Sequence, residues 1–485
     1  MIGGLLKSAS RWALVAAAGV IVGGVAMPSA KAADLGGDCC ADLEERVAEL
    51  EATTARKGNR KMSLTITGQV HRMVLYWNDG KSSDTYYGLD NTNSSSRFSF
   101  TGTAKVTPNV SMGFDITIEI EAGGTSSKVS QFDEDGKVGA QINGAGAGSF
   151  NTQNTDAYFG DARRAAFWVE DKNLGRLTVG RYESAGAITT IDLAGIGAGA
   201  SASVVLVNGG FLARGTNGDY LAVNWGAFGD PSSNQGRTEL IRYDSPTIAG
   251  FVLSASVGEA GDYWGVMLRY AGEFSGFRVA AGVGYEDATD KTTGVGPVPG
   301  GAAGQAGPAN LVDNGEVKAW GAGLSVLHVP SGLFAQGHYM KASYDNPGVG
   351  TAVTGYWGQV LNHKDSNQWL VQAGITKNWF GFGNTALFGE YSKNNDWAAA
   401  TGAGRTFSNA NIPGAVTVTG ITDSDMTVYG AGITQNIDAA ATELYLNWRH
   451  FSADANCATG GASCVNGKLQ IEDFDAVIGG ARVKF

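Results

Sequence analysis

Two segments joined by four residues decide the fold: Arg97-Phe-Ser-Phe-Thr-Gly-Thr-Ala-Lys-Val106 and Ser111-Met-Gly-Phe-Asp-Ile-Thr-Ile-Glu-Ile-Glu121. Side chains alternate between the two sides of a strand, so each segment has two distinct faces. In the second segment one face carries only Met, Phe and Ile, while the other carries Ser, Gly, Asp, Thr and Glu. Such a strand needs an apolar solvent on one side and water on the other, which a transmembrane β-barrel provides.

The two-faced pattern recurs up to the last residue. From Val477 to Phe485, the Val, Gly, Ala, Val and Phe side chains alternate with Ile, Gly, Arg and Lys. Past residue 30, no apolar run approaches the roughly 20 residues that a membrane-spanning helix needs. The predicted fold is all-β, a sixteen-stranded antiparallel transmembrane barrel. Its strands are predicted near 62–78, 94–106, 110–121, 160–170, 176–182, 237–245, 250–259, 262–271, 277–287, 316–329, 332–344, 366–378, 384–393, 424–436, 441–452 and 470–485.

The connections between the predicted strands alternate in length. Short ones, including 107–109, 171–175 and 330–331, alternate with long Gly-, Asn-, Asp- and Ser-rich ones, including 122–159, 288–315 and 394–423. Short turns at one end and long loops at the other are the arrangement of a transmembrane barrel. The sequence therefore predicts one barrel domain over residues 61–485.

The N-terminal residues have a different character. Lys7 and Arg11 precede an apolar run, and Ala30-Lys31-Ala32 resembles a cleavage site, so residues 1–32 are predicted to be a signal peptide. A retained membrane anchor is the alternative. Residues 33–60 contain a heptad-like apolar seam from Cys40 to Thr54, which predicts a short coiled-coil helix. A helix that packs on its own barrel is the alternative.

The composition and motifs exclude several functions. The formal net charge of −11 argues against nucleic-acid binding. The five histidines are scattered without metal-ligand spacing, and no nucleophile motif of the Gly-x-Ser-x-Gly kind occurs. The sequence therefore predicts a protein that is not an enzyme, with no cofactor and no metal.

The four cysteines fall into two pairs, and both are expected to be oxidised in an exported chain. Cys457 and Cys464 flank a flexible six-residue span, which predicts a disulfide within the chain. Cys39 and Cys40 lie at the head of the predicted coiled coil. They are predicted to bond between neighbouring chains, with a bond between the two adjacent residues as the less favourable alternative.

One connection, about residues 183–236, differs from the others because it is long and apolar in its middle. We call it loop 3 and predict that it folds into the lumen and narrows it. Its acidic residues are expected to face inward-pointing arginines of the wall across an aqueous gap. The alternative is that these arginines only pair with carboxylates of the lumen. The predicted constriction residues are Glu183, Asp192, Asp219 and Asp230 with Arg97, Arg164, Arg181 and Arg242.

Three stretches resemble the alphaproteobacterial porin family, a group of trimeric general porins of the Gram-negative outer membrane. They are 34–51 (Asp-Leu-Gly-Gly-Asp-Cys-Cys onward), 168–181 (Trp-Val-Glu-Asp-Lys-Asn-Leu-Gly-Arg-Leu-Thr-Val-Gly-Arg) and 242–246 (Arg-Tyr-Asp-Ser-Pro). The resemblance implies that Arg181 and Arg242 face the lumen and that loop 3 is the constriction.

The function implied by this resemblance is a passive diffusion channel for small hydrophilic solutes and ions, exported to the outer membrane. Its expected partners are two further copies of the chain, the outer-membrane lipids with lipopolysaccharide, and the solutes themselves. The negative net charge favours cations. The alternative is a structural envelope protein, tethered through its periplasmic helix, in which a pore is secondary.

Overall fold

Residues 62–120, 124–132, 162–186, 191–200, 203–229, 237–258, 263–288, 316–345, 365–398, 405–407, 415–457 and 464–485 are described by the computed structural model. Sixteen antiparallel strands form one closed sheet in which each strand pairs with the next along the chain and the last pairs with the first. The strands are β1 (Ser63–Asn78), β2 (Arg97–Lys105), β3 (Val110–Glu119), β4 (Ala162–Asp171), β5 (Gly175–Glu183), β6 (Arg237–Asp244), β7 (Phe251–Gly258), β8 (Tyr263–Phe274), β9 (Phe277–Ala288), β10 (Glu316–His328), β11 (Leu333–Asp345), β12 (Ser366–Lys377), β13 (Thr385–Asn395), β14 (Val418–Ile437), β15 (Thr442–Cys457) and β16 (Phe474–Lys484).

This arrangement confirms the predicted fold class and the number of strands. The polar face of β3 lies inside the barrel and its apolar face lies outside, as predicted. Asp115 and Glu119 are buried on the inner side at 7% and 8% exposure, whereas Met112 and Ile116 are 41% and 40% exposed on the outer side. The barrel therefore has a polar interior and an apolar exterior.

The barrel closes where the C-terminus meets β1. The backbone of Phe485 exchanges two hydrogen bonds with Gly68, with N···O distances of 2.9 and 3.0 Å. The ring of Phe485 covers Gly68 so closely that a Cβ on Gly68 would lie 2.3 Å from the ring. Any side chain at position 68 would displace the terminal aromatic, so the seam requires glycine here.

The wall differs in height around the barrel. Strands β5, β6 and β7 have nine, eight and eight residues, whereas β14 and β15 have twenty and sixteen. We call the end with the long connections the loop end and the opposite end the turn end. On the side of β2–β7 the wall is low at the loop end.

Several short elements accompany the barrel. Among the described residues, no helix has the length and apolar character that crossing a membrane requires. The short strands are Ser83–Asp90, Leu212–Arg214, Tyr220–Asn224, Arg405–Phe407, Cys464–Val465 and Lys468–Leu469, and the 3-10 helices are Thr92–Ser94, Val204–Val207, Trp225–Phe228 and Asp438–Ala440.

A disulfide joins Cys457 to Cys464, with the two Cα atoms 6.0 Å apart. The predicted signal peptide, the predicted coiled coil and the Cys39–Cys40 pair lie within residues 1–61, outside the described residues.

Candidate functional site

Charged side chains from neighbouring strands meet on the inner surface and the loop-end rim of the low side of the barrel. We call this set the basic wall. Its bases are Arg97, Arg163, Arg164, Arg237, Arg242 and Arg269, and its acids are Asp115, Glu119, Glu183 and Asp244. The six arginines exceed the four carboxylates by two positive charges. All but Arg242, Arg269, Asp115 and Asp244 lie at or beside the loop ends of their strands.

A β-bulge at the start of β4 brings two consecutive arginines into the wall. The register shifts there, because Thr117 pairs with Arg164 while Ile118 pairs with Ala162. Arg163 is therefore the extra residue of a bulge, where strict alternation is lost. Its guanidinium binds Glu119 and donates to Ser95 Oγ at 3.1 Å.

Arg164 binds two carboxylates of the basic wall. Its Nη2 lies 2.6 Å from Glu183 Oε1, its Nη1 lies 3.1 Å from Asp115, and its guanidinium lies over the Tyr182 ring at 5.1 Å. Two carboxylates on one guanidinium hold β3, β4 and β5 together at this level.

Arg242 holds the beginning of loop 3. It donates to the backbone carbonyls of Glu183 and Ser184 at 3.0 and 3.3 Å, and it binds Asp244 at 2.8 Å. Arg269 binds the same carboxylate at 2.7 Å. The point at which the chain leaves the wall is thus fixed by charge-assisted hydrogen bonds.

Loop 3 crosses the barrel interior and lies against the opposite wall. Its first part, including Ile196, packs on Leu327 of β10, Phe334 of β11 and Phe388 of β13. Farther along, Asn447 and Arg449 of β15 donate to the carbonyls of Gly199 and Val204, at 3.2 and 3.3 Å. These contacts place the loop over the inner surfaces of β10–β15, opposite the basic wall.

The second half of loop 3 forms an apolar core with the wall. Phe211 lies 5.3 Å from Trp77 of β1 and 5.1 Å from Phe474 of β16, between ring centroids. Trp225 lies 5.8 Å from Phe474 and 6.0 Å from Phe451. Phe211 and Trp225 are at most 1% exposed. Burial of each such ring contributes on the order of 1.5–3 kcal/mol, so this part of the loop is held firmly.

Arg214 joins the second half of loop 3 to the connection between β1 and β2. It binds Asp79 at 3.1 Å, lies 3.6 Å from the centroid of the Tyr220 ring and donates to its hydroxyl at 2.9 Å. Burial raises the pKa of the Tyr220 hydroxyl, although the nearby Arg214 opposes this. The phenol therefore stays neutral at physiological pH and accepts the hydrogen bond from Arg214.

Three of the four predicted arginines and one of the four predicted acids lie in the basic wall: Arg97, Arg164, Arg242 and Glu183. Of the other acids, Asp192 and Asp219 are not paired with these arginines. Asp192 is only 8% exposed, and its carboxylate accepts hydrogen bonds from the backbone N–H groups of Ala194, Gly195 and Gly197. Asp219 is exposed and bonds Asn217. Asp230 lies outside the described residues.

The expectation that Arg181 faces the lumen is wrong. Arg181 is in register with Ala165 of β4 and Glu239 of β6, and both of these residues are exposed on the outer surface. The preceding residue, Gly180, is in register with Ala166 and Leu240. These two residues are buried inside the barrel at 7% and 4% exposure. Alternation along β5 therefore places Arg181 outside, where it donates to the Ala162 carbonyl at 2.8 Å. Glu183 and Arg237 share this register but lie at the loop ends of β5 and β6, where the Glu183 side chain reaches Arg164 at 2.6 Å.

Six members of the basic wall were absent from the sequence prediction. Asp115 and Glu119 lie on the predicted polar side of β3, so alternation alone could have found them. Arg163 could not be found in this way, because its inward placement depends on the bulge. Arg237, Arg269 and Asp244 required knowledge of which strands neighbour each other.

The arrangement is suited to guiding polar solutes rather than to bond-breaking chemistry. Fixed guanidinium and carboxylate groups line one side of the interior, and an immobilised loop covers the other. Opposite charges held close together in a narrow aqueous space favour hydrated and polar molecules over apolar ones.

Comparison with known proteins agrees with the barrel fold. A family model described as Gram-negative porin matches residues 13–460. Among solved structures, an anion-selective porin from Comamonas acidovorans is similar at 16% identity and a TM-score of 0.50, covering 87% of this chain and 100% of that one. OmpT of Vibrio cholerae is similar at 12% identity and a TM-score of 0.46, covering 88% and 99%. No curated protein sequence matches the chain.

Proposed function

Because the chain belongs to the Gram-negative porin family, a family of passive channels of the outer membrane, we propose that solutes cross it between loop 3 and the basic wall. The chain is a passive diffusion channel of the outer membrane and not an enzyme. Small hydrophilic solutes and ions pass along the arginines and carboxylates of β2–β8.

The position of loop 3 carries this proposal. The loop covers the inner surfaces of β10–β15 through the contacts of Ile196, Gly199 and Val204, so those surfaces are removed from the path. The basic wall lies across from it, and its Arg163 and Arg164 side chains keep 14% and 16% exposure. The narrowest part of the path is therefore bounded by the loop on one side and by this wall on the other.

Conductance in a planar bilayer tests the proposal. The purified full-length protein should form stable ohmic channels, and liposomes that contain it should swell in small sugars and resist large ones. Replacing Arg164 by Gln should change ion selectivity without closing the channel. A folded protein that never conducts would favour the alternative, a structural envelope protein.

We further propose that three copies assemble through the outer surface of β2–β7. The outer surfaces of β8–β15 carry a row of Trp and Tyr rings, one from each strand, and these rings follow one another around the barrel. They are Trp264, Tyr285, Trp320, Tyr339, Trp369, Tyr391, Tyr429 and Trp448. Such a belt is typical of a surface at the lipid–water interface.

The belt is interrupted on the low side of the barrel. In the described part of β2–β7, the outer positions near the loop end hold Phe98, Ile118, Ala165, Arg181, Glu239 and Val257, with no Trp or Tyr. An eight-residue strand tilted by about 40° spans roughly 21 Å, less than the roughly 25 Å apolar band of lipid-facing barrels. A neighbouring copy would cover both the short wall and the outward Arg181 and Glu239.

A bulky substitution on each surface tests this contact. Ala165→Trp on β4 should convert the detergent-solubilised complex to monomers. Val283→Trp, on the lipid-facing surface of β9, should leave it intact. Native mass spectrometry of the unmodified protein should show three chains. Assembly that survives Ala165→Trp would exclude β2–β7 as the contact surface.

A further inference from the structure

We propose that the Cys457–Cys464 disulfide positions loop 3 from the loop end of the barrel, so that the width of the channel depends on the oxidation state of this bond. This inference rests on the proposed path between loop 3 and the basic wall, and it adds to that path a response to thiol reductants. The observation behind it is a small sheet that loop 3 shares with two connections of the barrel.

Loop 3 contains a hairpin in which Leu212–Arg214 pairs with Tyr220–Asn224. One edge of this hairpin is extended by the residues that precede β14. The N–H of Ala222 donates to the carbonyl of Val416 at 2.9 Å, and the N–H of Val416 donates to the carbonyl of Tyr220 at 2.7 Å. The connection between β13 and β14 therefore contributes a parallel neighbour to loop 3.

The opposite edge of the hairpin is covered by the connection between β15 and β16. The N–H of Glu472 donates to the carbonyl of Arg214 at 2.7 Å, and the N–H of Thr216 donates to the carbonyl of Gln470 at 3.3 Å. Residues 470–472 thus form an added strand along loop 3. Backbone hydrogen bonds of this kind fix two segments in one register.

The disulfide holds the segment that leads into this added strand. Cys464–Val465 and Lys468–Leu469 form a short hairpin, and its second strand also pairs with β15. Gln470 follows directly after that second strand. The bond from Cys464 to Cys457 of β15 therefore fixes the hairpin, and through the hairpin it fixes the strand that lies on loop 3.

The two sulfurs lie in different surroundings. Cys457 is 7% exposed and belongs to the same apolar core as Phe211 and Trp225 of loop 3. Cys464 packs against this core but is only half-buried, and it is followed by the exposed Val465. One end of the bond therefore lies within the packing that holds loop 3, while the other is within reach of a small reductant.

A small dithiol opens the bond by thiol–disulfide exchange. Its thiolate attacks the Sγ of Cys464, and the Sγ of Cys457 leaves as a thiolate and takes up a proton. The second thiol of the reductant then displaces the Sγ of Cys464, which is protonated in turn. The protein gains two electrons and two protons as two thiols, and the dithiol becomes a cyclic disulfide.

Loss of the bond weakens the support of loop 3. The short hairpin has only two pairs of residues, and a two-stranded hairpin is marginally stable at best without further constraint. The added strand at Gln470 then detaches more often, and the hairpin of loop 3 loses one of its two neighbours. Loop 3 spends more time away from its closed position, and the channel spends more time at a higher conductance.

The test uses single channels of the full-length protein in planar bilayers, with a small dithiol as the probe. All recordings use the Cys39→Ser/Cys40→Ser background, so that only one cysteine pair can respond. Reduction should raise the ratio of time at the higher conductance to time at the lower one about tenfold or more. Removal of the dithiol and reoxidation should restore the original ratio.

Cys457→Ser/Cys464→Ser in the same background should show the raised ratio from the start and should not respond to the dithiol. A second cross-link provides a rescue. Gly215 and Ile471 face each other between the two hydrogen bonds of the added strand, and Cα atoms in such a pair lie about 4.5 Å apart, within the range that a disulfide accepts. Adding Gly215→Cys/Ile471→Cys should restore the low ratio until the dithiol is applied.

Only folded, conducting barrels are counted, so misfolded protein does not enter the comparison. An equal ratio in the oxidised and the reduced channel would overturn the proposal. Failure of the Gly215→Cys/Ile471→Cys cross-link to restore the low ratio would also overturn it, because the bond would then not act through loop 3. Absence of conductance in the oxidised, unmodified protein would instead contradict the proposed function.

Discussion

At the scale of the residue, charge is used in two ways inside this barrel. Arg164 and Arg242 are partnered groups at the border of the proposed path. Glu390 and Arg449 form a different kind of pair, because both side chains are 1% exposed and lie behind loop 3. Their nitrogen–oxygen distance is 2.6 Å, and Gln372 and Asn447 donate to the same carboxylate at 3.0 and 3.3 Å. This pair stabilises the loop and does not touch the solute.

Removing one member of the Glu390–Arg449 pair should be strongly destabilising. Arg449→Met leaves a buried carboxylate without its cation, which costs about 3–5 kcal/mol. Replacing both residues by Met should cost less than this, because no unpaired charge remains. Equilibrium unfolding in urea, in detergent, measures both free energies. Arg278→Gln, which breaks an exposed pair, should change the free energy of unfolding by about 0–1 kcal/mol. A double variant less stable than Arg449→Met would contradict this account.

At the scale of the element, loop 3 is ordered by its own backbone as well as by the wall. The Asp192 carboxylate accepts three hydrogen bonds from backbone N–H groups within five residues of it, at 2.7–3.0 Å. The sequence showed only that an acid stood in a long loop. Its use as an internal acceptor depends on the local turn, so the carboxylate that was expected to face the pore is unavailable to solutes.

Asp192→Ala should loosen loop 3 and make the channel current noisier, with a higher mean conductance. Three donors lose their acceptor, and leaving a buried donor unsatisfied costs about 1–3 kcal/mol. Asp219→Ala is the control, since Asp219 is an exposed acid of the same loop. Single-channel recordings compare the two variants. Equal current noise in both would show that Asp192 does not hold the loop.

The disulfide between Cys457 and Cys464 belongs to the same scale, because it closes the connection between β15 and β16. Closure of so short a loop should contribute about 2–3 kcal/mol. Replacing both cysteines by Ser should therefore speed tryptic cleavage after the exposed Lys468 nearby. Cleavage after Lys172, exposed in the turn between β4 and β5, should proceed at its original rate. Unchanged cleavage after Lys468 would show that the bond adds little local order.

At the scale of the whole molecule, local alternation was enough to predict the barrel but not its interior. Each strand shows its two faces in the sequence, and the number of strands follows from repetition. The composition of the basic wall depends on which strands are neighbours and on the bulge at Arg163. Arg181 shows the limit of the family resemblance. It lies on the same face of its strand as Leu177 and Val179, which indicates an outward side chain, whereas the resemblance implied an inward one. The extent of loop 3 could be predicted, but the surface it covers is fixed by long-range packing.

Assembly is the remaining property at this scale, and Cys39 and Cys40 give it a covalent test. In a parallel three-stranded coiled coil, Cys40 would occupy an a position and Cys39 the neighbouring g position, so Cys39 of one chain could reach Cys40 of the next. Three such bonds would close a ring and hold together a helix of about two heptads, which is too short to be stable alone. The contacts of the barrel wall would remain, so reduction should weaken the assembly without abolishing it.

Boiled protein on a non-reducing denaturing gel should therefore run as a trimer and collapse to monomer when reductant is added. Cys39→Ser/Cys40→Ser should run as a monomer under both conditions, while Cys457→Ser/Cys464→Ser should behave as the unmodified chain. The second variant separates the two cysteine pairs, because Cys457 already has its partner within the same chain. A monomer band from the unmodified protein without reductant would exclude the covalent ring. Association would then depend on the helix and the outer surface of β2–β7 alone.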